Sequence, residues 1–320
     1  MTRFRVVSAL VLVQVLFGVH YFVAKLILGM MPPLAWAAVR ILGAAILLMG
    51  YNLLFRRRHP GSLADLCRLA LYAVFGVVIN QVLFVEGLSR TTPSHSAVIN
   101  SSIPVATLGF AIAFGQERPS WRKILALVAA LSSVLMLLGI ERFRLEDQLV
   151  VGDLLTLANS TSFALFLVLS RRYLQRVDPL GATSWLLALG AAGILGLAAG
   201  PLAGVHFGAL PARFWWLAAY AIIGATVVTY SLNFYALGHV ESSLVALFIY
   251  MQPPIATLLS IVFLHERPTL RLYAAGAGIF LAMLLAVWET PLRRRMAEPA
   301  ERGAELEPLA ETVSDSGGRR

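Results

Sequence analysis

The sequence predicts an all-α integral membrane protein of ten transmembrane helices, arranged as an inverted repeat of five plus five. Three observations carry this. Of 320 residues, 58% are hydrophobic and 13% charged, and the mean hydropathy is +0.77, a balance that a water-soluble domain of this size does not reach. Apolar runs of roughly 20 residues, the length that crosses a ~30 Å hydrocarbon core, recur along the chain with short polar breaks. One pattern also occurs twice: Ala97 and Pro104 followed by Glu117-Arg118-Pro119, then Ala246 and Pro253 followed by Glu266-Arg267-Pro268, every match at an offset of 149. In so apolar a chain coincident leucines mean little. A proline and a Glu-Arg-Pro tripeptide at identical spacing mark two copies of one unit.

Taken in order, the first apolar run is 6–28. It follows a short basic segment, but it is too long for a leader h-region and no small-x-small cleavage site follows, so a retained span is expected. The other spans are read at 34–54, 69–89, 94–115, 124–140, 154–173, 180–202, 214–237, 243–264 and 272–287. Short connections make successive spans antiparallel neighbours. The two five-helix units are 6–140 and 150–288. Beyond them, 289–320 carries Pro299, Pro308 and several glutamates without apolar periodicity, and is expected to be a disordered cytoplasmic tail.

The net charge of +9 would suggest nucleic acid in a soluble protein. Here the positive residues sit between apolar runs, so no nucleic-acid partner is expected, and lysine and arginine instead set orientation. The side of the amino terminus collects fifteen of them, among them Arg56, Arg57, Arg58, Arg118, Lys123, Arg171 and Arg172; the other side collects six, including Arg90, Arg142, Arg213 and Arg271. Both termini are therefore expected to be cytoplasmic. One cysteine, Cys67, and six scattered histidines offer neither a disulfide framework nor a metal site, so no metal and no cofactor are expected. No nucleophile cluster argues for an enzyme, and no Walker motif argues for ATP as the direct energy source.

Five spans separate the copies, an odd number, so the second must point the opposite way. Inverted repeats of this kind can rock about a shared central site and give alternating access. Pro104 lies near the middle of the fourth span and Pro253-Pro254 near the middle of the ninth. Each is expected to kink its helix and free a carbonyl, which membranes tolerate only where protein or a wet cavity receives it. Asn100, Ser101, Tyr250 and Gln252 gather there and are candidates to line a cavity, with packing kinks as the alternative. Asn80, Gln81 and Tyr230 are further candidates, Asn80-Gln81 matching Thr229-Tyr230 by the offset. Intramembrane polar groups face the bundle interior; the competing account is interhelical hydrogen bonding. Three charges lie in the outer half of the first unit: Lys25, Arg40 and Glu86. Either Lys25 snorkels and Arg40 pairs with Glu86, or Arg40 or Lys25 receives an anionic group while Glu86 titrates with a coupling proton. His20 is expected to be a hydrogen-bonded interior residue. Glu117 and Glu266 are expected to pair locally with the arginines beside them, and Ala192, Gly196 and Gly200 to pack against another helix.

The ten spans, the inverted repeat and the paired Ala-x6-Pro-x12-Glu-Arg motifs resemble the drug/metabolite transporter superfamily, specifically its EamA family. The resemblance covers about 6–287, and includes Phe17-Gly18 with Lys25, Pro33 through Arg40, and Gly152-Asp153 with Arg171-Arg172. The stretch from Asn80-Gln81 through Leu83-Phe84, Gly87-Leu88 and Thr91 is similar to the amino-acid-exporting branches. The halves differ chemically: Leu186 stands where an offset of 146 would place a partner for Arg40. What the resemblance implies is transport of small metabolites, often export. The expectation is thus a secondary transporter in the cytoplasmic membrane, exporting amino acids or other small polar metabolites by alternating access, with the lipid bilayer and a small-molecule substrate as partners and proton coupling or facilitated flow both open. The alternatives are an uptake permease and a non-transporting membrane subunit.

Overall fold

The structure, a computed structural model, describes residues 2–55, 61–138, 147–240, 245–246 and 248–287. The 289–320 segment read as a tail lies outside the described residues, as do Arg56–Arg58, Arg142, Arg144 and Ser243. The helices are α1 (Thr2–Leu28), α2 (Pro33–Leu54), α3 (Leu63–Arg90), α4 (Pro93–Ala113), α5 (Trp121–Leu138), α6 (Gln148–Leu174), α7 (Pro179–Ala203), α8 (Ala212–His239), α9 (Phe248–Leu264) and α10 (Leu270–Val287). No strand occurs among the described residues. Helices α1 to α8 are long and apolar enough to cross a membrane; α9 and α10 are shorter apolar helices.

The starts are encoded locally. Proline at the first helical position loses no hydrogen bond there, because that N–H has no partner in any helix. Pro33, Pro93 and Pro179 each open a helix in this way, and the Thr92 and Asp178 side chains cap α4 and α7 by accepting from the His95 and Gly181 backbone N–H groups.

Packing follows the repeat. Helix α2 packs on α7 and α5 on α10; α3 packs on α6 and α1 on α8; α1 packs on α9 and α4 on α6. Exchanging the two five-helix units maps each of these contacts onto itself or onto its neighbour in that series, as a pseudo-twofold axis requires. The α3–α6 crossing is a close backbone approach: a Cβ on Gly152 would lie 2.7 Å from the Thr91 nitrogen and 2.9 Å from the Gly87 oxygen, so only glycine fits. The small residues Ala192, Gly196 and Gly200 do not pack within the chain: all three are exposed, and α7 instead presents Gly190 and Gly193 to Val77 and Val78 of α3.

The prolines interrupt their helices rather than bending them. Helix α4 stops at Asn100, turns through Ser101 and Ser102, and restarts at Ile103, with Pro104 in the first turn of the new segment. Helix α9 begins as a 3-10 turn, Phe248–Met251, and continues as an α-helix from Gln252, again with Pro253 and Pro254 in the first turn. Two π-helical stretches have no proline: Val74–Ile79 in α3 and Tyr220–Val228 in α8. They occupy equivalent places in the two repeats.

Candidate functional site

A cavity opens where the interrupted and π-helical segments meet. Polar lining comes from Gln14, His20 and Tyr21 of α1, Arg40 of α2, Asn80 and Gln81 of α3, Asn100 of α4, Asn159 of α6, Tyr230 and Asn233 of α8, and Gln252 of α9; Phe17, Phe84, Phe163 and Ile249 supply apolar walls. The space open to the centre of a water molecule is about 80 Å³, several times the ~10–15 Å³ that one water needs.

Two hydrogen-bond networks fix its walls. In the first, the Arg40 Nε donates to Thr226 Oγ1 at 2.7 Å, Nη1 to Gln81 Oε1 at 3.0 Å and Nη2 to the Ala225 carbonyl at 3.0 Å. Gln81 Nε2 donates to Asn80 Oδ1 and to the Tyr230 hydroxyl, which donates in turn to the Gly76 carbonyl. Asn159 Nδ2 donates to the Asn80 carbonyl at 2.7 Å. In the second, Tyr21 donates to Gln252 Oε1 at 3.0 Å and accepts from Asn100 Nδ2 at 2.6 Å, while Gln252 Nε2 donates to Gln14 and Ser160 to Asn100. These bonds satisfy amides that would be costly unpaired in a low-dielectric interior.

The structure brings together Asn80, Gln81, Asn100, Tyr230, Gln252 and Arg40 of the residues singled out in the sequence. It places four others elsewhere. Ser101 turns its hydroxyl back to the Ala97 carbonyl. Tyr250 packs its ring against Phe280 of α10, 6.0 Å between centroids; the tight turn that aligns Ile249 with Gln252 on the cavity points Tyr250 away. Lys25 neither snorkels nor reaches the cavity: its ammonium donates to the carbonyls of Leu88, Ser89 and Thr91, capping the end of α3 where the helix dipole is negative. Glu86 pairs with Arg90 on its own helix, not with Arg40. His20 corrects a further expectation: both ring nitrogens are buried without a partner among the described residues, and the ring stacks on Phe84 at the cavity wall.

Tyr21 was not singled out in the sequence, since neither a proline nor a run of polar residues adjoins it in its span; it joins α1, α4 and α9 through its hydroxyl. The contacts at the end of the bundle where α3 meets α4 were also not legible. Asp153 accepts from the Thr91 hydroxyl and lies 2.9 Å from His95 Nδ1. Glu266 accepts from Thr92 at 2.6 Å and from Ser94 at 2.8 Å, across 172 residues or more, rather than pairing with Arg267. At the opposite end Glu117 pairs with Lys123, not Arg118. Among the described residues no three His, Cys, Asp or Glu side chains converge as a metal would need.

Residues 5–139 and 150–288 each match the EamA-like transporter family. The chain is 27% identical over 256 residues to the uncharacterized inner membrane transporter YedA of Escherichia coli K12, covering 79% of this chain and 80% of that one. It is 24% identical over 283 residues to an uncharacterized transporter of Archaeoglobus fulgidus, covering 85% and 95%. A solved crystal structure superposes with a TM-score of 0.62 at 18% identity, covering 91% of this chain and 98% of that one, and so shares its fold. With two matched segments spanning most of its length, this multi-pass membrane protein belongs to the EamA-like transporter family.

Proposed function

We propose that the cavity is the substrate site of a secondary transporter working by alternating access. In this reading the chain exports amino acids or other small polar metabolites across the cytoplasmic membrane, with both termini on the cytoplasmic side. One observation carries it: the cavity lies where the two repeats meet, walled by Gln81 and Tyr230, residues in contact with each other at equivalent positions of the two units. A site on the axis of an inverted repeat stays in place while the halves exchange conformations around it, and interrupted helices with polar side chains at that depth are what such sites are built from. Substrate selection then rests on amides, phenols and the Arg40 guanidinium. No nucleophile–base pair figures in this reading, which is of a carrier and not an enzyme; the driving force is a gradient of the solute or of protons.

The experiment compares metabolites inside and outside cells with and without the protein, at matched expression. A compound that falls inside and rises outside establishes export and gives the substrate. A compound that rises inside reverses the direction. No change with the protein verified in the membrane removes the transport reading.

A further inference from the structure

Among the described residues, Arg40 is a buried cation without an anion. It is 1% exposed, and its three bonded N–H groups meet only neutral acceptors, Gln81, Thr226 and the Ala225 carbonyl. A guanidinium carries five N–H donors, so two remain. No carboxylate lies within 4.0 Å of it among the described residues, and no Asp or Glu lines the cavity that it faces. Glu86, near the end of α3, is engaged by Arg90 instead. A charge held this way in a protein interior is costly unless something completes it, and charges inside a membrane bundle mark the path of what passes through. A second observation points into the same space: His20, 2% exposed, has no partner for either ring nitrogen, and Asn233 Oδ1 on the facing wall has none, among the described residues.

Resting on the reading of this cavity as the substrate site, we propose that the transported solute carries a carboxylate that docks on the two remaining N–H groups of Arg40. The planar carboxylate matches the guanidinium fork, and one negative charge neutralises the one cation. A phosphate monoester would leave excess negative charge in the cavity. A cationic amine without a carboxylate would meet Arg40 with like charge and no compensating acid. Asn233 Oδ1 and an unprotonated His20 nitrogen are neutral acceptors for an amino or hydroxyl group on the same solute.

The test takes the full chain. In the comparison of cells with and without the protein, every exported solute is expected to bear a carboxylate; exported amines, sugars or alcohols lacking one overturn the proposal while leaving transport intact. No solute changed on either side, with the protein verified in the membrane, overturns transport itself, and the two failures are thereby told apart. In proteoliposomes, flux of the exported acid is expected to be inhibited by unlabelled acid and not by its carboxamide; equal inhibition by the carboxamide overturns the proposal. Arg40→Gln is expected to raise the half-saturating concentration roughly 30-fold or more, the effect of truncating one member of a buried charge pair. Because that change also removes three structural bonds, Thr226→Val serves as the second variant: it removes one acceptor and keeps the charge, and is expected to keep the preference for acid over carboxamide. A Thr226→Val protein that loses the preference while still transporting overturns the assignment to the Arg40 charge.

Discussion

Gly76 and Ala225 occupy the same position of the two repeats, and each gives its carbonyl to a side chain of the other repeat: Gly76 accepts from Tyr230, Ala225 from Arg40. Both carbonyls lie in π-helical stretches, where pairing departs from the α ladder. The two halves are thus tied at the cavity by a reciprocal pair of bonds whose donors differ, one neutral and one charged. Tyr230→Phe removes one of them and leaves the Gly76 carbonyl and one Gln81 donor unpaired. A loss of ~1–3 kcal/mol in stability is expected, read as a lower thermal midpoint in detergent, together with reduced flux. An unchanged midpoint would show that the Gly76 carbonyl finds water instead.

Lys25→Met is expected to behave differently. Its ammonium caps three carbonyls at the end of α3 and does not line the cavity. The variant is expected to lose ~1–3 kcal/mol of stability as three part-buried carbonyls lose their donor, while the folded fraction keeps the half-saturating substrate concentration of the parent. A large rise in that concentration at unchanged stability would move Lys25 into the substrate site.

Glu266 and its two hydroxyl donors, Thr92 and Ser94, fasten the end of α9 to the start of α4. The Asp153 contacts to Thr91 and His95 tie α3, α4 and α6 together at the same end. Glu266→Ala is expected to favour the conformation open there. In a Cys67→Ser background with Phe84→Cys on the cavity wall, modification by a membrane-impermeant thiol reagent from that side is expected to speed up about tenfold, equivalent to ~1.4 kcal/mol. No acceleration would show that Glu266 holds the helices equally in both states.

Glu86→Gln tests proton coupling. The carboxylate pairs with Arg90 on the same helix and lies outside the cavity lining. The pH profile of transport is expected to be that of the parent; a profile that flattens would restore Glu86 as the titrating group.

Cys67 reports orientation. It is exposed, near the start of α3, on the side of the bundle where α1 begins. With that side cytoplasmic, an impermeant maleimide is expected to leave it unmodified in intact cells and to modify it in inverted membrane vesicles. The reverse pattern would invert the topology.

The contributors to the cavity were legible in the sequence because a membrane leaves few places for an amide: Asn80, Gln81, Asn100 and Gln252 sit deep in apolar runs and must face inward. The repeat was legible because a tripeptide and a proline kept their spacing. Partners across the fold were not. Glu266 has an arginine beside it in sequence, and only the packing of α9 on α4 brings Thr92 and Ser94 closer. The π-helical stretches have no compositional signal, since a change of hydrogen-bond register needs no particular residue. Tyr250 misled because the helix restarts two residues later and turns its ring away from the cavity, against Phe280.

At two axis-related pairs of the cavity wall an amide faces an isoleucine: Asn100 corresponds to Ile249, and Gln252 to Ile103. Arg40 likewise corresponds to a leucine, Leu186. The backbone is near-symmetric but the lining is not, so the two ends of a bound molecule are never interchangeable. In the proposed alternating access, the molecule is then expected to keep one heading relative to the walls while the exit moves from one side of the bilayer to the other.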